Sequence, residues 1–339
     1  YKEEFYHPNV SALFSNRSKE IYAVFQNMES HLNISYLISK GRFHYSGNIW
    51  ESIVKINYQP TFHKILTLLK NNNQEVNAPL LDIYMSAVRL LKNLDNNSDY
   101  SEYETFKKQI KTYQHLVSPL EKLELVGLLI NYAGLRVNIN HERFVKETWL
   151  LYRYALQNEI LLPNGFLAEQ HFNNIISLGI ELGNGPFKWL KNHFINEYKL
   201  LVASEERNNV VALAEASIAF KENRLDTVLS KLQGVDFVNY AYKVQVRCLE
   251  IKAHYELKNW QFLMSKLRAF ESFLNHEQSM PPAMITNNKQ FIKLTRKLAV
   301  INEVPPKNTN IKLDTIKVVI ETIALSNKTW VVEKTNELY

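Results

Sequence analysis

Apolar residues recur at helical spacing through most of this chain. Val145, Trp149, Tyr152 and Leu156 fall at i, i+4, i+7 and i+11 and form one stripe. Phe144, Thr148, Leu151 and Ala155 run beside them and widen it. The same spacing continues through 242–255 and 262–273, whereas the strict alternation of a half-buried strand is scarce. Residues 316–323 are dense in β-branched side chains, yet Glu321, Thr322 and Ala324 carry the register onward with no turn signal, so a helix is predicted there too. Breakers punctuate the pattern. Pro60, Pro79, Pro119, Pro163, Pro186 and the Pro281-Pro282 pair precede or open apolar-periodic stretches, where the missing N–H has no helical partner to lose. Ser118, Pro119 and Glu121 together spell a capping box, and Ser204-Glu205-Glu206 reads as a second helix start. Gly134, Gly183 and Gly234 lie where helices are expected to end. Short polar connections then predict about fourteen to sixteen helices with antiparallel neighbours. Residues 93–101 and 302–310, the latter with Pro305-Pro306, read as looser connections.

Three helical segments align on their turns. Residues 172–183, 212–223 and 249–258 are each followed by a second amphipathic stretch, at 187–198, 225–232 and 260–273. The turn positions Gly183, Asn223 and Lys258 are about 40 and 35 residues apart, a period that belongs to helix–turn–helix arrays. In one unit Ala216, Phe220, Asn223, Leu225 and Val228 stand as small, aromatic, turn and second-helix residues; in the next, Ile251, Tyr255, Lys258, Trp260 and Leu263 do. This pattern resembles the tetratricopeptide repeat. Residues from about 60 to 300 are also similar to a group of bacterial helical-repeat proteins to which no chemistry is assigned, on the strength of Phe166-Leu-Ala, Phe172-Asn-Asn-Ile-Ile and Leu182-Gly. Phe172-Asn-Asn-Ile-Ile resembles the opening of a pentatricopeptide unit as well, but it occurs once, and an RNA-reading code needs it in tandem.

The resemblance implies an all-α fold, an α-α superhelix in the form of a tetratricopeptide-like helical-hairpin solenoid. It divides the chain into an N-terminal helical region at 1–115, repeats at 116–301, and a C-terminal linker with packed-on helices at 302–339. It also implies an inner wall made by the first helix of each pair. Carried over position by position, the wall residues are Asn173, Ser177 and Glu181, then Ser217 and Lys221, then Lys252 and Glu256. They are polar and mixed in charge, as a groove for an extended peptide would be.

Composition narrows the alternatives. With 46% hydrophobic residues among 339, the chain can bury a large core, and 9 Gly with 10 Pro are too few for a turn-rich sandwich or barrel. A single cysteine, Cys248, forbids an intrachain disulfide and any multi-cysteine metal site. The net charge is +6, and the excess is local. Lys289, Lys293, Arg296, Lys297, Lys307, Lys312 and Lys317 face only Glu303 and Asp314. No stretch is apolar enough to span a bilayer; the most apolar, 120–135, is broken by Glu121, Lys122, Glu124 and Asn131. The expected location is cytoplasmic, although a chain that begins at Tyr1 leaves room for an upstream targeting segment.

Motifs for chemistry are missing. Ten histidines form no HExxH pair; His171 and His254 sit in amphipathic stretches as packed residues, and His141-Glu142 reads as a helix start. Gly183-Asn-Gly185 follows a helix and lacks the third glycine of a dinucleotide loop. Cys248, between Val246 and Leu249, reads as a small buried hydrophobe. Aromatics such as Trp149, Trp189 and Trp260 are periodic and read as core. The expectation is therefore a non-catalytic scaffold for a protein or peptide partner, with no cofactor and no metal. The alternative is single-stranded nucleic-acid binding through the basic segment 289–317, and nucleic acid is the less expected partner.

Overall fold

The computed structural model describes residues 18–54, 78–92, 100–137, 142–202, 205–304 and 308–339. They are helical almost throughout, and the only β pairing among them is one parallel bridge between Leu167 and Val202. The helices are α1 Ser18–Val54, α2 Pro79–Lys92, α3 Ser101–Tyr113, α4 Pro119–Val137 and α5 Glu142–Gln157. They continue as α6 Glu169–Leu182, α7 Asn184–Trp189, α8 Ile195–Tyr198, α9 Arg207–Lys221 and α10 Leu225–Leu232. The last five are α11 Tyr240–Glu256, α12 Trp260–His276, α13 Pro282–Glu303, α14 Thr309–Thr322 and α15 Lys328–Asn336. The β-branched stretch after Asp314 is thus helical, within α14.

Helix starts follow local chemistry. Pro79, Pro119 and Pro282 each open a helix. At α4 the capping box is closed in both directions: the Glu121 N–H donates to Ser118 Oγ at 3.3 Å, and the Ser118 N–H donates to Glu121 Oε2 at 3.0 Å. Gly183 (φ 64°) ends α6, and Gly234 (φ 77°) lies just beyond α10. Gly134 does not end a helix; α4 continues to Val137, because Tyr132 and Arg136 hold the register by stacking, 4.6 Å from guanidinium to ring centroid. Pro60, His141 and Ser204 lie outside the described residues.

The chain forms two compact units, Tyr1–Pro163 and Asn164–Tyr339. The expected boundary at 115/116 falls inside the first. Tyr103 of α3 stacks on Tyr132 of α4 at 5.0 Å, and Phe144 of α5 meets both rings edge-on at 5.7 and 6.2 Å, so these three helices share one core. The expected break at 301/302 falls inside the second. Trp330 of α15 packs edge-on to Tyr255 at 5.1 Å and to Phe291 at 6.0 Å, which ties the C-terminal helices into the core of α11, α12 and α13.

Within the second unit, α9, α10, α11, α12 and α13 each pack against the next, and α9 also touches both α6 and α11. Two corners are built alike. After α9, Asn223 N–H donates to Phe220 O and Arg224 N–H to Ala219 O, with Asn223 left-handed at φ 57°. After α11, Lys258 N–H donates to Tyr255 O and Asn259 N–H to His254 O, with Lys258 at φ 55°. An ion pair clasps each hairpin: Lys231 Nζ to Glu215 at 2.5 Å, and Lys266 Nζ to Glu250 at 2.6 Å. Every one of these residues has its counterpart 35 positions on. The α6 hairpin differs. A π-helical turn, Leu190–Phe194, follows α7, and the buried Leu190 approaches Gly179 so closely that a Cβ there would lie 2.7 Å from Leu190 Cγ.

Candidate functional site

The seven wall residues divide by environment. Ser177, Glu181 and Lys221 are exposed, on α6 and α9. Ser217 is half-buried, and its hydroxyl donates to Leu213 O at 2.8 Å. Since α6 and α9 are neighbours, these four residues share two adjacent helices. Asn173 departs from the set: it is buried.

Lys252 and Glu256 are not open either. Helix α15 lies over them. Lys252 Nζ donates to Asn327 Oδ1 at 3.2 Å and sits 5.1 Å from the Phe220 ring centroid. Burial holds its pKa below the usual lysine range, against the pull of Glu256 the other way. Glu256 accepts from Trp330 Nε1 at 2.8 Å and pairs with Lys334 Nζ at 2.9 Å. Lys334 is itself buried; burial opposes its charge, but hydrogen bonds to Glu337 (2.7 Å) and Glu256 outweigh it and raise the pKa. The C-terminal segment thus covers Lys252 and Glu256, the two expected wall residues on α11, with this chain's own side chains. Cys248, nearby, is buried, and burial pushes its thiol up to about 11, so it stays protonated and poorly nucleophilic.

The basic segment resolves into used and unused cations. Arg296 pairs with Glu271 at 2.8 Å. Lys317 lies 3.5 Å from the Tyr339 ring centroid, and the Tyr339 hydroxyl donates to Asp314. Lys289 is exposed, and Lys307 lies outside the described residues. Between α13 and α14 runs a groove of about 530 Å³ lined by Lys293, Lys297, Val300, Ile301, Lys312 and Ile316, with Arg296 and Thr315 at its side. All three of its lysines are exposed, and among the described residues none pairs with a carboxylate.

Comparison with protein-family models, with curated proteins and with solved structures finds no match. No helix of the described residues is long and apolar enough to cross a membrane, and no cluster of His, Cys, Asp and Glu among them has the geometry to hold a metal ion.

One cavity was not legible as a motif. It measures about 750 Å³, opens between α10, α11 and α12, and is lined by Arg247, Glu250, His254, Phe262 and Lys266 among others. His254 stacks on Phe262 with centroids 5.7 Å apart, and its buried Nδ1 has no hydrogen-bond partner. Burial first, then the Lys266 charge, holds its pKa below 6.5. The one signal was positional. Four residues before its corner, where Ala219 and Gly179 precede Asn223 and Gly183, this hairpin places an imidazole. Glu250 and Lys266 neutralise each other, and His254 is bonded to neither a carboxylate nor a hydroxyl, so no proton-transfer pair is aligned in the cavity.

Proposed function

We propose that this chain is a non-catalytic scaffold, an α-α superhelix of tetratricopeptide-like hairpins that binds a protein or peptide partner. The observation that carries the reading is the recurrence, 35 residues apart, of one corner and one clasp: Asn223 with Glu215–Lys231, then Lys258 with Glu250–Lys266. Equivalent units joined by equivalent corners bury their apolar faces by stacking, since a lone hairpin has nothing to cover its own. The polar residues left outward on their first helices are then a repeated surface. Lys221 on α9 and Ser177 and Glu181 on the neighbouring α6 are its exposed members, with Ser217 half-buried beside them, and they offer acceptors, donors and both charges to an extended segment. The missing alignment of acid, base and nucleophile in the largest cavity described above favours binding over catalysis.

Affinity capture from extract of the source cells, with wild type and a Glu181→Lys/Lys221→Glu variant, tests this surface. The expected result is a partner recovered with wild type and lost with the variant, at unchanged helicity. A partner held equally by both removes these residues from the binding surface.

A further inference from the structure

We propose that the groove between α13 and α14 is a docking site for an acidic amphipathic helix of a protein partner. Lys293 and Lys297 stand one turn apart on α13, Val300 and Ile301 continue from them toward the end of that helix, and Val304 follows just past it. Across the groove, α14 offers Lys312, Thr315 and Ile316. Of the apolar residues lining the groove, Ile301 and Ile316 are buried and form its floor, and Val300 is 53% exposed; Val304 and Ile311, next in sequence to the lining, are 69% and 66% exposed. A concave apolar floor with Val300 exposed beside it and with Val304 and Ile311 exposed at the adjoining chain positions marks a contact surface more than a scatter of single residues does.

The charge around this floor is unbalanced. Arg296 is engaged by Glu271 and Asp314 by Tyr339, while Glu303 and Glu321, the other carboxylates on these two helices, pair with none of the three lysines. Lys293, Lys297 and Lys312 are left as like charges around one apolar cleft. A segment whose leucine-like side chains enter the cleft while carboxylates flank them removes exposed apolar area and like-charge repulsion together. From Lys293 to Glu303 the helix rises about 15 Å, the length of nearly three helical turns in the occupant. Single-stranded nucleic acid would use the same lysines but stacks its bases on aromatic rings, and no residue lining the groove is aromatic.

Fluorescence anisotropy with the full chain tests the proposal. The probe is a labelled synthetic peptide of about four turns, with Leu at i, i+3, i+4 and i+7 and Glu beside them. A scrambled peptide of the same composition and a labelled oligothymidylate serve as comparisons. Saturable binding is expected, weakening with salt, about tenfold weaker for the scrambled peptide and for each of Lys293→Glu/Lys297→Glu and Val300→Asp. Lys289→Glu, outside the groove lining, should change little, and so should Glu181→Lys/Lys221→Glu, which separates this site from the wall. All six positions substituted in the groove, control and wall variants are exposed, and unchanged helicity and melting confirm folding. The proposal is overturned by absence of saturable binding, by equal affinity for the scrambled peptide, by insensitivity to the groove variants, or by tighter oligothymidylate binding through the same lysines.

Discussion

His254 concentrates at one residue what burial does to a titratable group. Its imidazole is enclosed, its Nδ1 is unpaired, and its pKa lies below the ordinary 6.5. His171 is shifted the same way by burial alone. The sign follows from proton binding. Below about pH 6.5 the unfolded chain takes up protons that the folded chain resists, so stability falls as pH drops through that value and levels off below the folded pKa. Urea unfolding at about pH 7.5 and pH 5.5 should show a lower midpoint at the acid end, and His254→Ala should shrink that difference. An undiminished difference in the variant would show that the charge of His254 is not resisted by the fold. At this scale the sequence was legible where chemistry is local. Ser118 and Glu121 are three residues apart and close their box as the pattern requires, with the Tyr84 hydroxyl added on Glu121 from another helix. His254 was read as packed, which its burial matches; its cavity was hidden because Phe262 and Lys266 reach it only through the fold of the hairpin.

Among helices, two glycines give the same substitution opposite signs. Gly179 faces the buried Leu190 side chain, with no room for a Cβ, whereas nothing lies within 4 Å of a Cβ at Gly134. Both are interior to helices. Gly134→Ala should stabilise by about 0.5–1 kcal/mol through helix propensity alone. Gly179→Ala gains the same but forces Leu190 aside, at about 1–3 kcal/mol, and should destabilise on balance. Urea or thermal unfolding of both variants checks this; Gly179→Ala no less stable than wild type would mean the close approach is not real. Helix boundaries were legible where a proline or a capping serine marks them. Gly134 misled because glycine is also tolerated inside a helix whose neighbours, here Tyr132 and Arg136, bind each other across a turn. The π-helical turn at 190–194 carries no local signature, and the buried Leu190 that opens it meets Gly179 of α6 across the hairpin.

Across the whole molecule, periodicity gave the helical class, but partnership between distant segments was not written in any local pattern. The position 115/116, expected as a boundary, lies within one compact unit, where Tyr103, Tyr132 and Phe144, 29 and 12 residues apart in sequence, pack together. The C-terminal segment was expected as packed-on helices, but which residues it would cover was not legible: Trp330 and Lys334 bind Glu256 and Asn327 binds Lys252, two of the seven residues expected on the wall. What the account rests on most is that α6, α9 and α11 stand side by side in chain order, so that hairpins form a row. Spin labels placed pairwise at Glu181→Cys, Asn223→Cys and Lys258→Cys, in a Cys248→Ser background, measure that order directly. A row predicts about 10 Å of backbone separation per step, so that the two neighbouring pairs are short and the outer pair, 181 with 258, is roughly their sum. An outer pair as short as either neighbouring pair would contradict it.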